Sequence, residues 1–250
     1  MDTAKVSIQS QGSVVLKEIS IGYGHHTILE RLNLQTRGGK LTALIGRNGS
    51  GKSTLLHCMA GLKKPSEGSV YINGRDIYAL SAEDRAKEVS FVGTERIRVR
   101  NFRCGKLVSL GRAPYTGWSG KPSSEDEEIT RKALATVGME NYSERTIDSL
   151  SDGEYQRIMI ARALAQDTPV MLMDEPMAFL DIKGKYETAM LLSRLASENG
   201  KNVIFSTHDL DIALDKADDI ILISPSGIIH GSCASLAGSG VIAKALGLEE

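Results

Sequence analysis

Cysteine is scarce: Cys58, Cys104 and Cys233 are far apart, and none sits in a C-x-x-C spacing. That argues against a disulfide framework or a thiolate zinc site and fits a reducing compartment. Net charge of one sign is also missing. The 31 acidic and 30 basic residues leave a formal charge of −1, so no global field draws the chain to nucleic acid. The one local basic run, Arg96-Ile-Arg-Val-Arg-Asn-Phe-Arg103, reads as a solvated or partner-facing loop. No apolar run approaches the ~18 residues of a membrane span. The amino-terminal Met1-Asp-Thr-Ala-Lys5 leads into polar residues without the apolar core of a secretory signal. If the protein works at a membrane, another chain is expected to take it there. Internal repeats and low-complexity tracts are absent, and 250 residues suit one large α/β domain, with or without a smaller helical lobe.

What is present alternates strand and helix signals. Val14–Ile21, Leu32–Thr36 and Leu41–Ile45 read as short strands separated by turn residues such as Arg37-Gly-Gly39. Lys52–Gly61 reads as a helix, Val70–Ile72 as a strand closed by Asn73-Gly74, and Ser81 with Asp84 as a capped helix start. From Thr94 to Asp148 β-branched runs thin out. Helices are expected at Gly105–Gly111 and Glu125–Val137, around a Pro/Gly/Ser-rich link at Ala113–Ser124. From Leu150 helix, buried strand, helix and strand follow at Tyr155–Ala165, Val170–Met173, Lys185–Asn199 and Val203–Phe205. Unbroken apolar strands suit a sheet covered on both faces. Asp219–Ile223 and Gly227–Gly231 flank a turn at Pro225-Ser-Gly227, before a small helical cap.

Gly46-Arg-Asn-Gly-Ser-Gly-Lys-Ser-Thr54 fits G-x-x-x-x-G-K-[ST], and it follows an apolar strand and opens a helix. Gly46, Gly49 and Gly51, with Asn48, Ser50 and Thr54, form a loop whose backbone N–H groups can turn toward phosphates at a helix's positive end. Lys52 is expected to reach the β- and γ-phosphates of ATP, and Ser53 to supply a Mg²⁺ ligand. Val170-Met-Leu-Met-Asp-Glu175 is an apolar strand ending in two acids. Alone it would read as a solvated strand end. Behind a phosphate loop, Asp174 is placed to hold Mg²⁺ through water and Glu175 to polarise the attacking water. Leu150-Ser-Asp-Gly-Glu154 opens a further helix, where the Ser151 hydroxyl and bare N–H groups at Gly153 can receive an anion. By itself that segment equally describes a capped helix without ligand.

Leu150–Glu154 resembles the Leu-Ser-Gly-Gly-Gln signature of ATP-binding cassette (ABC) proteins, and the order of the other segments agrees along nearly the whole chain. The resemblance implies a P-loop ABC-type α/β fold: a mixed sheet core with an antiparallel amino-terminal β part over about 1–93 and 150–250, and a helical lobe at 94–149. It also implies that Tyr23 stacks on adenine, that Asp181 of Phe179-Leu-Asp181 lies in the D-loop, and that His208 of Ser206-Thr-His-Asp209 contacts the γ-phosphate. Thr94 falls where the family carries its Q-loop glutamine toward the metal, with Glu95 next as a substitute. Two copies would pair head to tail around two ATP molecules, with Ser151 and Gly153 of one facing the phosphate loop of the other.

Leu107-Val-Ser-Leu-Gly-Arg-Ala-Pro-Tyr-Thr-Gly117 is similar to a segment of importers for iron–siderophores, haem or cobalamin. That implies a bacterial ATPase subunit on the cytoplasmic face of the plasma membrane, working with separate transmembrane permease subunits and, indirectly, a substrate-binding protein. A soluble ABC ATPase in assembly, of iron–sulfur scaffold type, and a regulatory nucleotide-binding module stay open beside it. Departures from the family's pattern are Thr94, Asp152 and Glu154 in the signature, and Ala178-Phe179 ahead of Leu180-Asp181. Extra carboxylates at 152 and 154 are expected to weaken ATP binding unless they point away.

Overall fold

The structure, a computed structural model, describes residues 11–23, 26–117, 120–224 and 227–247, without the side chains at 23 and 26. The Tyr23 side chain, the turn residues Pro225 and Ser226 and part of the 113–124 link therefore lie outside the described residues. In chain order the first elements are β1 (Val14–Tyr23), β2 (His26–Thr36), β3 (Lys40–Gly46), α1 (Lys52–Met59), β4 (Glu67–Ile72), β5 (Arg75–Asp76), α2 (Ala82–Glu88) and β6 (Val89–Val92). Then come α3 (Cys104–Ser109), α4 (Ser124–Thr136), α5 (Asp152–Ala165), β7 (Val170–Met173), α6 (Ile182–Asn199) and β8 (Asn202–Ser206). The chain closes with α7 (Leu210–Lys216), β9 (Asp219–Ser224), β10 (Gly227–Ser232), α8 (Cys233–Ala237) and α9 (Val241–Leu246).

Two sheets result. One is antiparallel in the order β2-β1-β4-β5, and the other runs β10-β9-β3-β8-β7-β6. In the second, β9, β3, β8, β7 and β6 are parallel and β10 pairs antiparallel at the edge. The parallel strands are apolar on both faces because both faces are covered. Leu41, Ala43, Met171, Met173, Val203 and Phe205 pack toward α5 and α6 in one buried cluster. Leu44, Leu172, Ile204 and Ile221 point the other way, into a second cluster with Leu55, Leu56 and Met59 of α1 and the strands of the first sheet. Period-two alternation thus divides each strand between two cores. The α/β expectation, with an antiparallel part and inserted helices, holds.

Several expected boundaries move. The strand read at Leu32–Thr36 begins at His26 and forms a long hairpin with β1. Glu18 and Arg31 take left-handed φ values of 49° and 46° at irregular pairings, and these break the alternation that would have marked a strand. The first helix stops at Met59, not Gly61, while α6 starts at Ile182, where the Asp181 side chain caps it by accepting from Gly184 N–H at 2.7 Å. The expected cap at Ser81 is present, accepting from Asp84 N–H at 3.0 Å.

The importer-like segment has a structural task. Gly111 leaves no room for a side chain: a Cβ there would lie 2.3 Å from the Arg162 carbonyl oxygen of α5. Arg112, buried, donates to Asp126 Oδ1 at 2.8 Å and to the Ala165 carbonyl at 2.9 Å. It thereby ties the start of α4 to the end of α5. The Tyr115 hydroxyl donates to the Gln166 carbonyl at 3.1 Å, and Gln166 Nε2 in turn donates to the carbonyls of Ala86 and Val89.

Candidate nucleotide site

Three adjacent parallel strands aim their carboxyl ends at one place. β3 ends in the glycine-rich loop, β7 in Asp174-Glu175 and β8 in Ser206, with β8 pairing both others. Such a row of strand ends is where open α/β sheets receive ligands.

Within the loop, Gly49 and Gly51 have φ of 76° and 99°, a region that L side chains rarely adopt. A Cβ on Gly46 would lie 2.6 Å from Ser50 Oγ, and one on Gly51 would lie 2.8 Å from Ile28 Cγ2. Asn48, Gly49 and Ser53 are exposed, and Thr54 is buried. Lys52 is buried at the first turn of α1, and its Nζ donates to the carbonyls of Gly46 at 2.9 Å and Arg47 at 3.3 Å. Burial pushes its ammonium below the ordinary value, while the carboxylates of Glu175 and Asp174 pull it back up. The loop and the acid pair therefore act electrostatically on the same lysine. The Ser50 hydroxyl is cut off from solvent with no hydrogen-bond partner among the described residues.

Asp174 and Glu175 are locked by a serine that the motif reading passed over. Ser206 Oγ donates to Asp174 Oδ1 at 2.6 Å and accepts from Glu175 N–H at 2.8 Å. Asp174 N–H also donates to the Val92 carbonyl of β6 at 2.8 Å. Glu175 sits at φ 48° and its carboxylate meets His208 Nε2. Strain of this kind, held by surrounding hydrogen bonds, collects at functional turns. Thr94 and Glu95 lie exposed just past β6.

Cradling loop, buried lysine, orphan hydroxyl and paired carboxylates fit a polyphosphate carrying a divalent ion: N–H groups and an ammonium for the anion, oxygen donors for a hard cation. Ser53 and Asp174 are the oxygen donors that would hold Mg²⁺.

Ser151 and Gly153 stand apart from this group. Among the described residues no hydrogen bond joins them to the phosphate loop or the acid pair. Ser151 caps α5, with Oγ accepting from Glu154 N–H at 3.3 Å while Glu154 Oε2 accepts from Ser151 N–H at 2.9 Å. Glu154 is thus turned back onto its own helix. Its carboxyl is held below the usual range, first by the Tyr142 hydroxyl and then by Ser151. The segment before Asp181 passes close by, with Leu180 Cδ2 3.9 Å from where a Gly153 Cβ would be. Phe179, at φ 65°, is exposed.

The family model for ABC transporters matches residues 29–178. The chain belongs to the ABC transporter family. It is an ABC-type ATPase. This ABC ATPase is 37% identical over 238 residues to the achromobactin transport ATP-binding protein of Dickeya dadantii, covering 95% of the chain and 88% of the relative. It is 38% identical to the iron(3+)-hydroxamate import ATP-binding protein of Bacillus subtilis, covering 89% and 82%. Among solved structures it superposes with TM-score 0.75 and 29% identity on a dimeric ATP-binding cassette in a post-hydrolysis state bound to ADP and Pi. That match covers 88% of this chain and 98% of the cassette. No described helix is long and apolar enough to cross a membrane.

Proposed function

We propose that this ABC ATPase energises uptake of an iron chelate, haem or cobalamin as the peripheral subunit of an importer whose permease is a separate chain. The reading rests on the convergence of the glycine loop, Lys52, the Asp174–Glu175 pair and His208 at the ends of β3, β7 and β8. Relatives named for achromobactin and iron(3+)-hydroxamate transport support the cargo class.

Each residue has a task. The N–H groups of residues 46–54 and the Lys52 ammonium receive the β- and γ-phosphates. Ser53 and Asp174 would hold Mg²⁺, which would supply positive charge to offset that of the phosphates. Thr94, too short to reach as far as the family's glutamine, and Glu95, its substitute, lie beyond β6. Glu175 accepts a hydrogen bond from the attacking water and orients it in line with the γ-phosphorus; His208, in contact with that carboxylate, holds it in place and meets the γ-phosphate. Ser151 and Gly153, remote from their own loop, complete the site of a second, head-to-tail copy, with Asp181 between the two. The helical residues 94–149 carry the signature helix toward the permease.

Glu175→Gln tests this directly. The variant should bind ATP, lose hydrolysis and accumulate as an ATP-bound dimer by light scattering. If wild-type protein with its membrane partner hydrolyses ATP no faster than Glu175→Gln, the assignment fails. Co-purification with no multi-span membrane protein would favour an assembly ATPase.

A further inference from the structure

One departure from the family's pattern meets a distant arginine in the fold. Asp152 opens α5 where the resembled signature carries glycine, and Arg96 lies 56 residues earlier in the loop after β6. Arg96 Nη1 donates to Asp152 Oδ1 at 2.7 Å, and Nη2 donates to the Leu150 carbonyl at 2.8 Å. Its guanidinium sits 4.7 Å from the centre of the Tyr155 ring. The hydroxyl of that buried tyrosine accepts from Ile97 N–H at 2.7 Å. One arginine and its neighbour thus fasten the loop at four points, one at Leu150 just before α5 and three in its first turn.

An isolated surface ion pair would contribute little. A guanidinium fork that grips a carboxylate and a carbonyl while lying on an aromatic face fixes direction as well as charge. Arg98 and Arg100, two and four residues on, make no hydrogen bond or ion pair among the described residues, so the latch belongs to Arg96 and not to the basic run as a whole. Glu154 is held separately: its carboxylate serves the helix cap and Tyr142, with Arg145 Nη1 at 3.7 Å. Asp152 has no other ion-pair partner among the described residues. Without Arg96 its charge would stand bare between Ser151 and Gly153.

We propose that Arg96 is a positioning residue that neutralises Asp152 and holds Ser151 and Gly153 in register with the end of β6. The helix start then remains able to receive an anion despite its added carboxylate. The inference rests on the reading that this helix start faces ATP held by a second copy.

The test is ATP-driven dimerisation of the full-length chain in the Glu175→Gln background, followed by light scattering against Mg-ATP concentration. Arg96→Ala should raise the half-maximal ATP concentration about fivefold, through an uncompensated charge beside the triphosphate. Adding Asp152→Asn, which removes that charge at constant size, should bring it back to within about twofold of the parent. The Arg96→Ala defect should shrink as salt rises and screens the bare carboxylate. Binding of a fluorescent ATP analogue to the monomer should not change, since the phosphate loop is untouched. If the parent forms no ATP-dependent dimer, the two-copy reading falls and takes the inference with it. If the parent dimerises but Arg96→Ala matches it, or Asp152→Asn restores nothing, the inference alone is overturned.

Discussion

Replacing Arg112 by alanine should destabilise the protein more than any surface change, and the structure sets the scale. Arg112 and Asp126 form an ion pair with both side chains 7% exposed. The guanidinium also holds the Ala165 carbonyl and lies 3.9 Å from the centre of the Tyr115 ring. Truncation leaves a buried carboxylate without its cation, and breaking such a pair costs about 3–5 kcal/mol. For a chain of this size the melting temperature should fall by roughly 6–20 °C. Asp126→Asn should cost a similar amount, about 3–5 kcal/mol, because it strands the buried Arg112 cation even though the amide oxygen can still accept from Ser123 at the helix cap. Arg112→Met combined with Asp126→Asn should recover much of the alanine loss, since neither side then leaves a stranded charge and the amide oxygen keeps the helix cap. Acid adds an independent arm. The Asp126 carboxyl is held down from 3.8 to about 2, first by the Ser123 backbone N–H and then by Arg112. A depressed folded pKa stabilises above the unfolded value and stops doing so below the folded one. This contribution is therefore complete above pH ~4 and vanishes as pH falls toward ~2. Urea titrations at neutral and acidic pH read both arms. A loss below about 1 kcal/mol for Arg112→Ala at neutral pH would refute the reasoning.

Two further changes probe the site. Ser206→Ala strips Asp174 of a donor and Glu175 N–H of its acceptor, so kcat should drop about tenfold or more with KM for ATP nearly unchanged; a rise confined to KM would contradict that. Gly51→Ala puts a side chain at φ 99° and against Ile28, whereas Gly49→Ala meets strain at φ 76° but no neighbour. Nucleotide titration should accordingly show Gly51→Ala losing more affinity, about tenfold or beyond, and the reverse order would count against the cradle.

Much of this was legible in the chain because the signals are local. The phosphate loop is nine consecutive residues, and β7 and β8 are apolar runs whose burial needs no knowledge of their neighbours. What escaped reading depends on distant partners or lacks a local mark. β6 is four residues long and follows α2 with no turn between them, Val89 itself closing the helix. α7 has seven residues and no side-chain cap at Asp209. Ser206 reads only as the first residue of the histidine segment, because its partner lies 32 residues away in the chain. Arg96 looked like one arginine of a solvated run, and nothing in its neighbours pointed to Asp152.

The departures from the family's pattern bear on whether the chain turns over ATP at all. A pseudo-enzyme loses groups at the chemical centre, but here the changes lie around it, and the two added carboxylates are each answered by a neighbour. Glu154 is folded into a cap and Asp152 is gripped by Arg96, while Phe179 stands exposed at a left-handed φ of 65°. Between Glu175 and Phe179 the backbone enters the left-handed region twice, and Ala178 N–H closes the turn on the Glu175 carbonyl at 3.0 Å. Non-glycine residues occupy that region only at a cost of order 1–3 kcal/mol each. A strand end with two idle carboxylates would have no reason to retain such a turn, or to spend the Ser206 hydroxyl on holding it. The strain makes sense if the Glu175 carboxylate must point at one fixed place, which the position of Lys52 identifies as the mouth of the phosphate loop.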